Sequence, residues 1–487
     1  MKKRILCLII MVLTLLPLAT SCVKFKDDVE ASSNKKYDYE LSDYIKLPDD
    51  YLNHEIDLEL DAMQAAIDTY LLQAVKENSD NYKYKVSRGD SIYVDISVYE
   101  ELILTSENTD EVIAKRGDKI ESLSKSNYLI ESLGKSSLPY VLQKDIIDSE
   151  LNIKDILERR YSYDQLDGYA PAEYEGKNLY FTVKIMNKRV EPGDVVTVTY
   201  KGYHIDSLGN KLKDETTGKE LAPFDSSTGA YFFPGTKLAI DDFENNLVGL
   251  LLNEQYSFNA TFPEDYGEKD FQGKTVLFEV TITGVYTAPV YNNSFVKLWF
   301  SDYNSTTEFE ASLQKEFIMS QMYTYVLDNA VISEYPEAEY NTHAQQIEEA
   351  SASFEQAYGY SFDEYIKKAY GMTRDEYIKS QMKTEMIYYL LSKEHNLVPT
   401  EEMLTNERES LISYYKTLYM TQNGLNEQTA LDTATEFVNN LGETYVYENV
   451  MYTLVEEFLY TKATVNKVEK TYTSITETIA KNEAVTQ

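Results

Sequence analysis

The chain has 487 residues, of which 81 are acidic and 46 basic, and its formal net charge of −35 excludes nucleic-acid recognition through phosphate neutralisation. A surface this acidic also discourages contact with anionic lipid headgroups, while 43% apolar residues supply core for roughly three domains. Its two cysteines, Cys7 and Cys22, cannot build a disulfide framework.

In chain order, the first element is a secretory signal. Met1-Lys2-Lys3-Arg4 is a basic head, Ile5 to Leu18 is apolar but short for a bilayer span, and Ala19-Thr20-Ser21-Cys22 follows. This pattern resembles a bacterial lipoprotein signal, with alanine at 19 where leucine is commonest. The resemblance implies residues 1–22 as a signal, lipidation of Cys22, and a chain held outside the cytoplasmic membrane of a bacterium. Residues 23–46 are polar enough for a flexible tether. Over 47–87 the spacing of Leu58, Leu60, Met63, Ala66, Ile67, Tyr70 and Leu71 predicts a linker helix from Pro48 to about Lys76, followed by a loop.

Residues 88–190 and 191–288 then read as two copies of one β-rich module. Gly89-Asp90 and Gly193-Asp194 each open an alternating strand. Gly134 and Gly235 each precede a short helical pattern, and Gly176-Lys177 and Gly273-Lys274 each precede a final strand. Separations of 104, 101 and 97 residues mean duplicated domains rather than a solenoid. In the second copy a strand over "VVTVTYKGYHID" leads to a turn at Asp206 to Asn210, a loop around Thr216-Thr217-Gly218, Phe224-Asp225, a helix near Ile240 to Leu252 and two closing strands. One helix on a twisted antiparallel sheet buries its apolar face against aromatic side chains.

The second copy resembles the FKBP-type peptidyl-prolyl isomerase domain, in the version found in trigger factor. The residues that carry this likeness are Tyr200-Lys-Gly202, Phe224-Asp225, Phe233-Pro-Gly235, Ile240 to Glu244, Leu247-Val-Gly249, Phe262-Pro-Glu-Asp-Tyr266 and Phe278. The resemblance implies a proline pocket lined by Tyr200, Phe224, Ala239, Ile240, Phe243 and Phe278, with Asp225 and Tyr266 making polar contacts to the peptide. Each aromatic taken alone reads as core. The sequence departs from the family at Ala239, where valine is common, at Asp242, which replaces a frequent glycine, and in the long loop between Gly202 and Phe224. In the first copy Tyr200 corresponds to Ile96, Ala239, Ile240 and Phe243 correspond to Leu138, Pro139 and Leu142, and no Phe-Asp pair is present, whereas Tyr169 and Phe181 persist. The first copy is therefore expected to keep the fold without isomerase activity.

Such a site needs neither metal nor cofactor, and none is expected. Twisting an X-Pro bond breaks amide resonance behind a barrier of roughly 18–20 kcal/mol, so a dry pocket that favours the twisted amide suffices.

Beyond Pro289 the chain turns helical. Ser305-Thr-Thr-Glu308, Ser361-Phe-Asp-Glu364 and Thr373-Arg-Asp-Glu376 have capping-box spacing ahead of apolar-periodic runs. "NNSFVKLWF", "STTEFEASLQKEF" and the stretch from Tyr370 to Met403 resemble the helical chaperone part of trigger factor, which implies binding of unfolded chains. Most of the 43 tyrosines read as packing between helices. The expected fold class is α+β and multidomain: two FKBP-like antiparallel sheet-plus-helix domains, an all-α trigger factor or SurA-like chaperone domain at 289–465, and a polar tail at 466–487. His54, His204, His343 and His395 lie in no zinc-protease spacing, there is no phosphate-cradling glycine loop, and Asp206 to Lys211 lacks the ligands of a calcium loop.

The function expected is an extracytoplasmic isomerase and chaperone acting on unfolded, proline-containing secreted polypeptides, membrane-attached through its lipid. It would not dock to ribosomes, because trigger factor's ribosome-binding domain has no counterpart in the sequence. The alternatives are an inactive holdase or polypeptide-binding lipoprotein that keeps the FKBP fold as scaffold, and a component of an assembly with one client.

Overall fold

The computed structural model describes residues 37, 39–105, 112–234, 239–468, 474, 475 and 477. The signal, Cys22, most of the tether, Gly235 and most of the tail lie outside these. The chain divides into two compact units, one of residues 1–60 with 292–469 and one of 61–291 with 470–487.

The described chain begins in the first unit, where the tether expectation fails over its last ten residues. Tyr37, Leu41 and Ile45 are buried, and β1 (Ile45–Lys46) pairs antiparallel with β12 (Val331–Ile332). These apolar side chains recur every four residues among charged ones, so mean composition hides a packed segment. The linker helix is also shorter than expected. β2 (Glu55–Glu59) precedes it, burying Ile56 and Leu58 in strict alternation, and α1 runs only over Leu60–Glu77. A five-residue strand abutting a helix blends into the helical spacing, so Leu58 reads as part of the helix in the sequence.

The second unit holds both β modules. In the first, β3 (Ile92–Thr105), β4 (Val112–Lys119), β5 (Lys125–Ile130), α2 (Tyr140–Asp148), β6 (Ile156–Ser162) and β7 (Asn178–Lys188) follow in order. The strands lie in the order β4-β3-β7-β6, with β5 also pairing β3. In the second, β8 (Asp194–His204), β9 (Asp225–Phe232), α3 (Asp241–Leu247), β10 (Gln255–Thr261) and β11 (Thr275–Thr287) give the order β10-β11-β8-β9. All these strand pairs are antiparallel; the central strand β3 buries Ile92, Val94, Ile96 and Val98 in alternation, and β8 buries Val195, Val196 and Val198.

The helix expected to reach Leu252 stops at Leu247. Gly249 takes a positive φ of 85° there, and the chain turns back so that Gly249 N donates to Val190 O and Val190 N to Leu250 O. Three acids in the first turn, Asp241, Asp242 and Glu244, suit the positive end of its dipole.

The two Gly-Asp landmarks meet at one buried cation. Lys188 Nζ, 1% exposed, lies 3.2 Å from Asp90 Oδ1, 2.8 Å from Glu191 Oε2 and 3.3 Å from Asp194 Oδ2. The Tyr84 hydroxyl donates to Asp90 Oδ2 at 2.6 Å, and Ser91 N donates to Glu191 Oε1 at 3.0 Å. Three carboxylates share one ammonium, so burial pushes Asp194 up to about 7 against the pull of Lys188.

The first unit continues with α4 (Asn293–Trp299), α5 (Thr306–Asn329), α6 (Glu337–Tyr358), α7 (Phe362–Tyr370), α8 (Arg374–His395), α9 (Glu401–Asn423) and α10 (Glu427–Lys462), the last kinked at Gly442. β13 (Thr464–Val468) closes it in parallel register with β2. Ser305, Ser361 and Thr373 cap their helices, Thr373 and Glu376 as a reciprocal box. Tyrosines join the helices by ring stacking, Tyr388 lying 4.6 Å from Tyr323 and 4.1 Å from Tyr452, and by hydrogen bonds to acids: Tyr388 donates to the buried Glu456 at 2.6 Å and Tyr389 to the half-buried Glu448 at 3.0 Å.

The tail is not wholly polar surface, since in the second unit Ile475 is fully buried and its N–H donates to Asp68 of α1 at 3.1 Å. Among the described residues no helix is long and apolar enough to cross a membrane.

Candidate active site

The site grows from the pleat of β8. Tyr200 and Gly202 lie two residues apart and so point to one face. On one side Val280 and Phe278 of β11 pair with them; on the other Ser227 and Asp225 of β9 do, across a bulge between Val198 and Tyr200. Gly202 decides the packing. A Cβ there would meet Phe224 Cζ at 2.6 Å and Phe278 Cε1 at 3.0 Å, so only glycine lets the Phe224 ring fold over the strand.

Two groups of rings result. Around Phe243, which α3 buries to 3% exposure, the ring centroids of Phe278, Phe232, Tyr200 and Phe258 lie at 4.7, 5.0, 5.7 and 5.7 Å. Around Phe224 lie Phe271 at 5.0 Å, His204 at 4.9 Å, Phe278 at 6.1 Å and Phe262 at 6.4 Å. Phe262 holds the Tyr266 ring edge-on at 4.7 Å. Phe278 touches both groups and joins them into one wall.

The polar groups sit on its rim. The Tyr200 hydroxyl donates to Asp225 Oδ2 at 2.8 Å; burial, then this carboxylate, pushes the phenol up to about 12. Asp225 is exposed and Tyr266 half-buried. A turn in which Tyr266 N donates to Pro263 O holds Tyr266, and Gln272 Nε2 donates to its carbonyl at 2.7 Å. Among the described residues the Tyr266 hydroxyl makes no side-chain hydrogen bond, which leaves it to donate elsewhere. Ala239 and Ile240 are half-buried at the start of α3, where Ala239 N donates to the buried Glu244 at 2.6 Å. Ile240 packs on the same core as Tyr200, Phe224 and Tyr266.

Tyr200, Phe224, Asp225, Phe243, Tyr266 and Phe278 thus come together, with Ala239 and Ile240 at the helix entrance. The set expected from the sequence omits Phe232, Phe258, Phe262, Phe271 and His204. Phe262 and Phe271 flank the Pro-Glu-Asp-Tyr run and Phe232 opens "FFPG", so the motifs already contained them. His204 follows Tyr200 and Gly202 at the same period of two. Among the described residues no group of three or more His, Cys, Asp or Glu side chains could hold a metal.

The equivalent face of the first module is filled. Ile96, Leu138, Leu142 and Phe181 are at most 4% exposed. The Tyr169 hydroxyl is spent on Leu123 O at 3.0 Å, and the Tyr161 hydroxyl on Asp145 at 2.7 Å.

Curated relatives cover part of this chain. A trigger factor of Clostridium perfringens is 31% identical over 131 residues, covering 26% of this chain and 27% of that one. A trigger factor of Moorella thermoacetica is 26% identical over 244 residues, covering 46% and 51%. The chain thus spans between about a quarter and about half of the length of these relatives. Among solved structures, one described as "Promiscuous Substrate Recognition in Folding and Assembly Activities of the Trigger Factor Chaperone" covers 81% of this chain and 84% of its own at 15% identity and a TM-score of 0.20. The family model of the FKBP-type peptidyl-prolyl cis-trans isomerase matches residues 187–283. That segment holds every ring of the aromatic wall, so the second module is similar to FKBP-type peptidyl-prolyl cis-trans isomerase domains and the chain to trigger factors.

Proposed function

We propose that the protein is a peptidyl-prolyl cis-trans isomerase and chaperone for secreted polypeptides, working outside the cytoplasmic membrane on a lipid attached to Cys22. Residues 191–288 turn over the prolyl bond, 88–190 keep the same fold without turnover, and 289–465 hold unfolded segments. The observation that carries this reading is the Tyr200–Asp225 hydrogen bond at the rim of an aromatic wall that the first module lacks.

The chemistry needs little more. A proline ring packs against Tyr200, Phe243 and Phe278, and the carbonyl of the residue before it leaves water, which weakens the charge-separated resonance form that keeps the X-Pro amide planar. Asp225, oriented by Tyr200, and the unengaged hydroxyl of Tyr266 supply hydrogen bonds that favour the twisted bond over either planar isomer. A ten-thousandfold acceleration asks roughly 5–6 kcal/mol of such preference.

The test is isomerisation of a proline peptide by the full-length protein, with Asp225→Ala and Tyr266→Phe beside it. Acceleration that falls about tenfold or more in each variant supports the assignment; that loss equals roughly 1.4 kcal/mol, the size of one hydrogen bond. A wild-type rate equal to that of buffer leaves an FKBP fold used as scaffold. Labelling with a radioactive fatty acid, abolished by Cys22→Ser, tests the anchor; unlabelled wild-type protein contradicts it.

A further inference from the structure

The first module carries a feature that its copy lacks. β3 pairs with β7 only as far as Glu100, opposite Leu179, which is the position of His204 in the second module. There the second module turns through a polar loop, with Asp206 Oδ1 accepting from Leu208 N and Asn210 N. The first module instead extends β3 to Thr105 and pairs it with β4 alone, from Glu101 opposite Arg116 to Thr105 opposite Val112. A bulge at Gly117 marks the departure: a Cβ there would meet Glu100 O at 3.2 Å.

The extension exposes three consecutive large apolar side chains, Leu102 at 47%, Ile103 at 62% and Leu104 at 41%. By the alternation of a strand, Leu102 and Leu104 lie on one face and Ile103 on the other. Such a run is a liability unless it is used. Glu101 closes the base of the edge, accepting from Arg160 Nε at 2.6 Å and Asn178 Nδ2 at 2.8 Å. Among the described residues nothing pairs with β3 beyond it on the side that β7 vacates, so alternate residues present free backbone N–H and C=O groups.

We infer that this edge, Leu102 to Thr105, binds an extended apolar segment of another polypeptide as an added strand. The ladder of donors and acceptors selects a main chain, because only a backbone answers it at strand spacing. The apolar side chains on both faces select alternate apolar side chains in the guest. A second copy of this chain brings another formal charge of −35 and is disfavoured as the guest, and an anionic membrane surface is disfavoured for the same reason. The inference rests on the chaperone part of the proposed function and gives the first module a share in it.

The probe is a fluorescent, proline-free octapeptide of alternating valine and threonine, titrated into the full-length protein. Its twin is N-methylated at alternate amides and cannot pair. The peptide is expected to bind saturably, with the twin at least tenfold weaker. The Leu102→Thr, Ile103→Thr, Leu104→Thr triple variant, whose β-branched residues keep strand propensity, is expected to lose at least tenfold in affinity. Equal binding of peptide and twin, or of wild type and variant, overturns the inference. So does a dimer, or vesicle binding, that the triple variant abolishes while peptide binding is absent. Suppression of aggregation of an unfolded protein by the wild type separates the two readings. If it persists while the peptide results are negative, only the edge is refuted; if it is absent, the chaperone reading fails as well.

Discussion

The two β modules share strand order, helix placement and the Gly-Asp opening, yet they spend their interior differently. Where the second sets Tyr200 and Phe243 beside Phe278 and leaves Asp225 and Tyr266 on a rim, the first fills the same space with Ile96, Leu142 and a buried Phe181. Aliphatic side chains dominate the first interior, whereas the second packs rings edge to face around a strand glycine, with the exposed Asp225 and the half-buried Tyr266 at their border. One architecture thus carries two different interiors, one largely aliphatic and one aromatic.

The largest expected effect comes from giving the second module the first one's residues. Tyr200→Ile with Phe243→Leu should cost at least about a hundredfold in isomerisation kcat/KM, roughly 2.7 kcal/mol, while circular dichroism stays native. Retained activity would mean that the wall is not the site. Gly202→Ala comes next. The new methyl drives Phe224 off the strand, and kcat/KM should fall roughly tenfold, about 1.4 kcal/mol, with KM moving more than kcat for peptides bulky at the proline.

In the first module Ile96→Tyr forces a ring into a site 1% exposed and should lower unfolding free energy by about 1–3 kcal/mol, read by urea titration, without changing turnover. Creation of isomerase activity by that change would break the contrast from the other side.

The smallest effect tests the junction of the modules. Asp194, buried and raised to about 7 from 3.8, contributes stability that is complete below about pH 4 and is lost as pH rises through 7. The Tm should fall by roughly 3 °C between pH 5 and pH 8, and Asp194→Asn should flatten that slope. An unchanged slope would place the titration elsewhere.

Much of this was legible in the sequence because strands alternate and the motifs of the second copy come in a fixed order. Tyr200, Phe224, Phe243 and Phe278 could be named without coordinates. What escaped depends on distance rather than pattern. The clash that makes Gly202 obligatory arises between a strand and the ring of a residue 22 positions later, and Lys188 gathers acids from both modules. Short elements escaped as well. β2 merged with the helix after it, the packed segment from Tyr37 to Lys46 passed for a tether, and α3 was carried past Gly249, whose backbone conformation ends it.

Whether the aromatic wall catalyses prolyl isomerisation is read by exchange spectroscopy by NMR on one X-Pro peptide with catalytic amounts of the full-length protein, wild type and Tyr200→Ile/Phe243→Leu in parallel. Cis–trans exchange cross-peaks are expected with the wild type, and none above the peptide alone with the variant. Cross-peaks of equal intensity from both proteins, or from neither, would contradict that catalytic role.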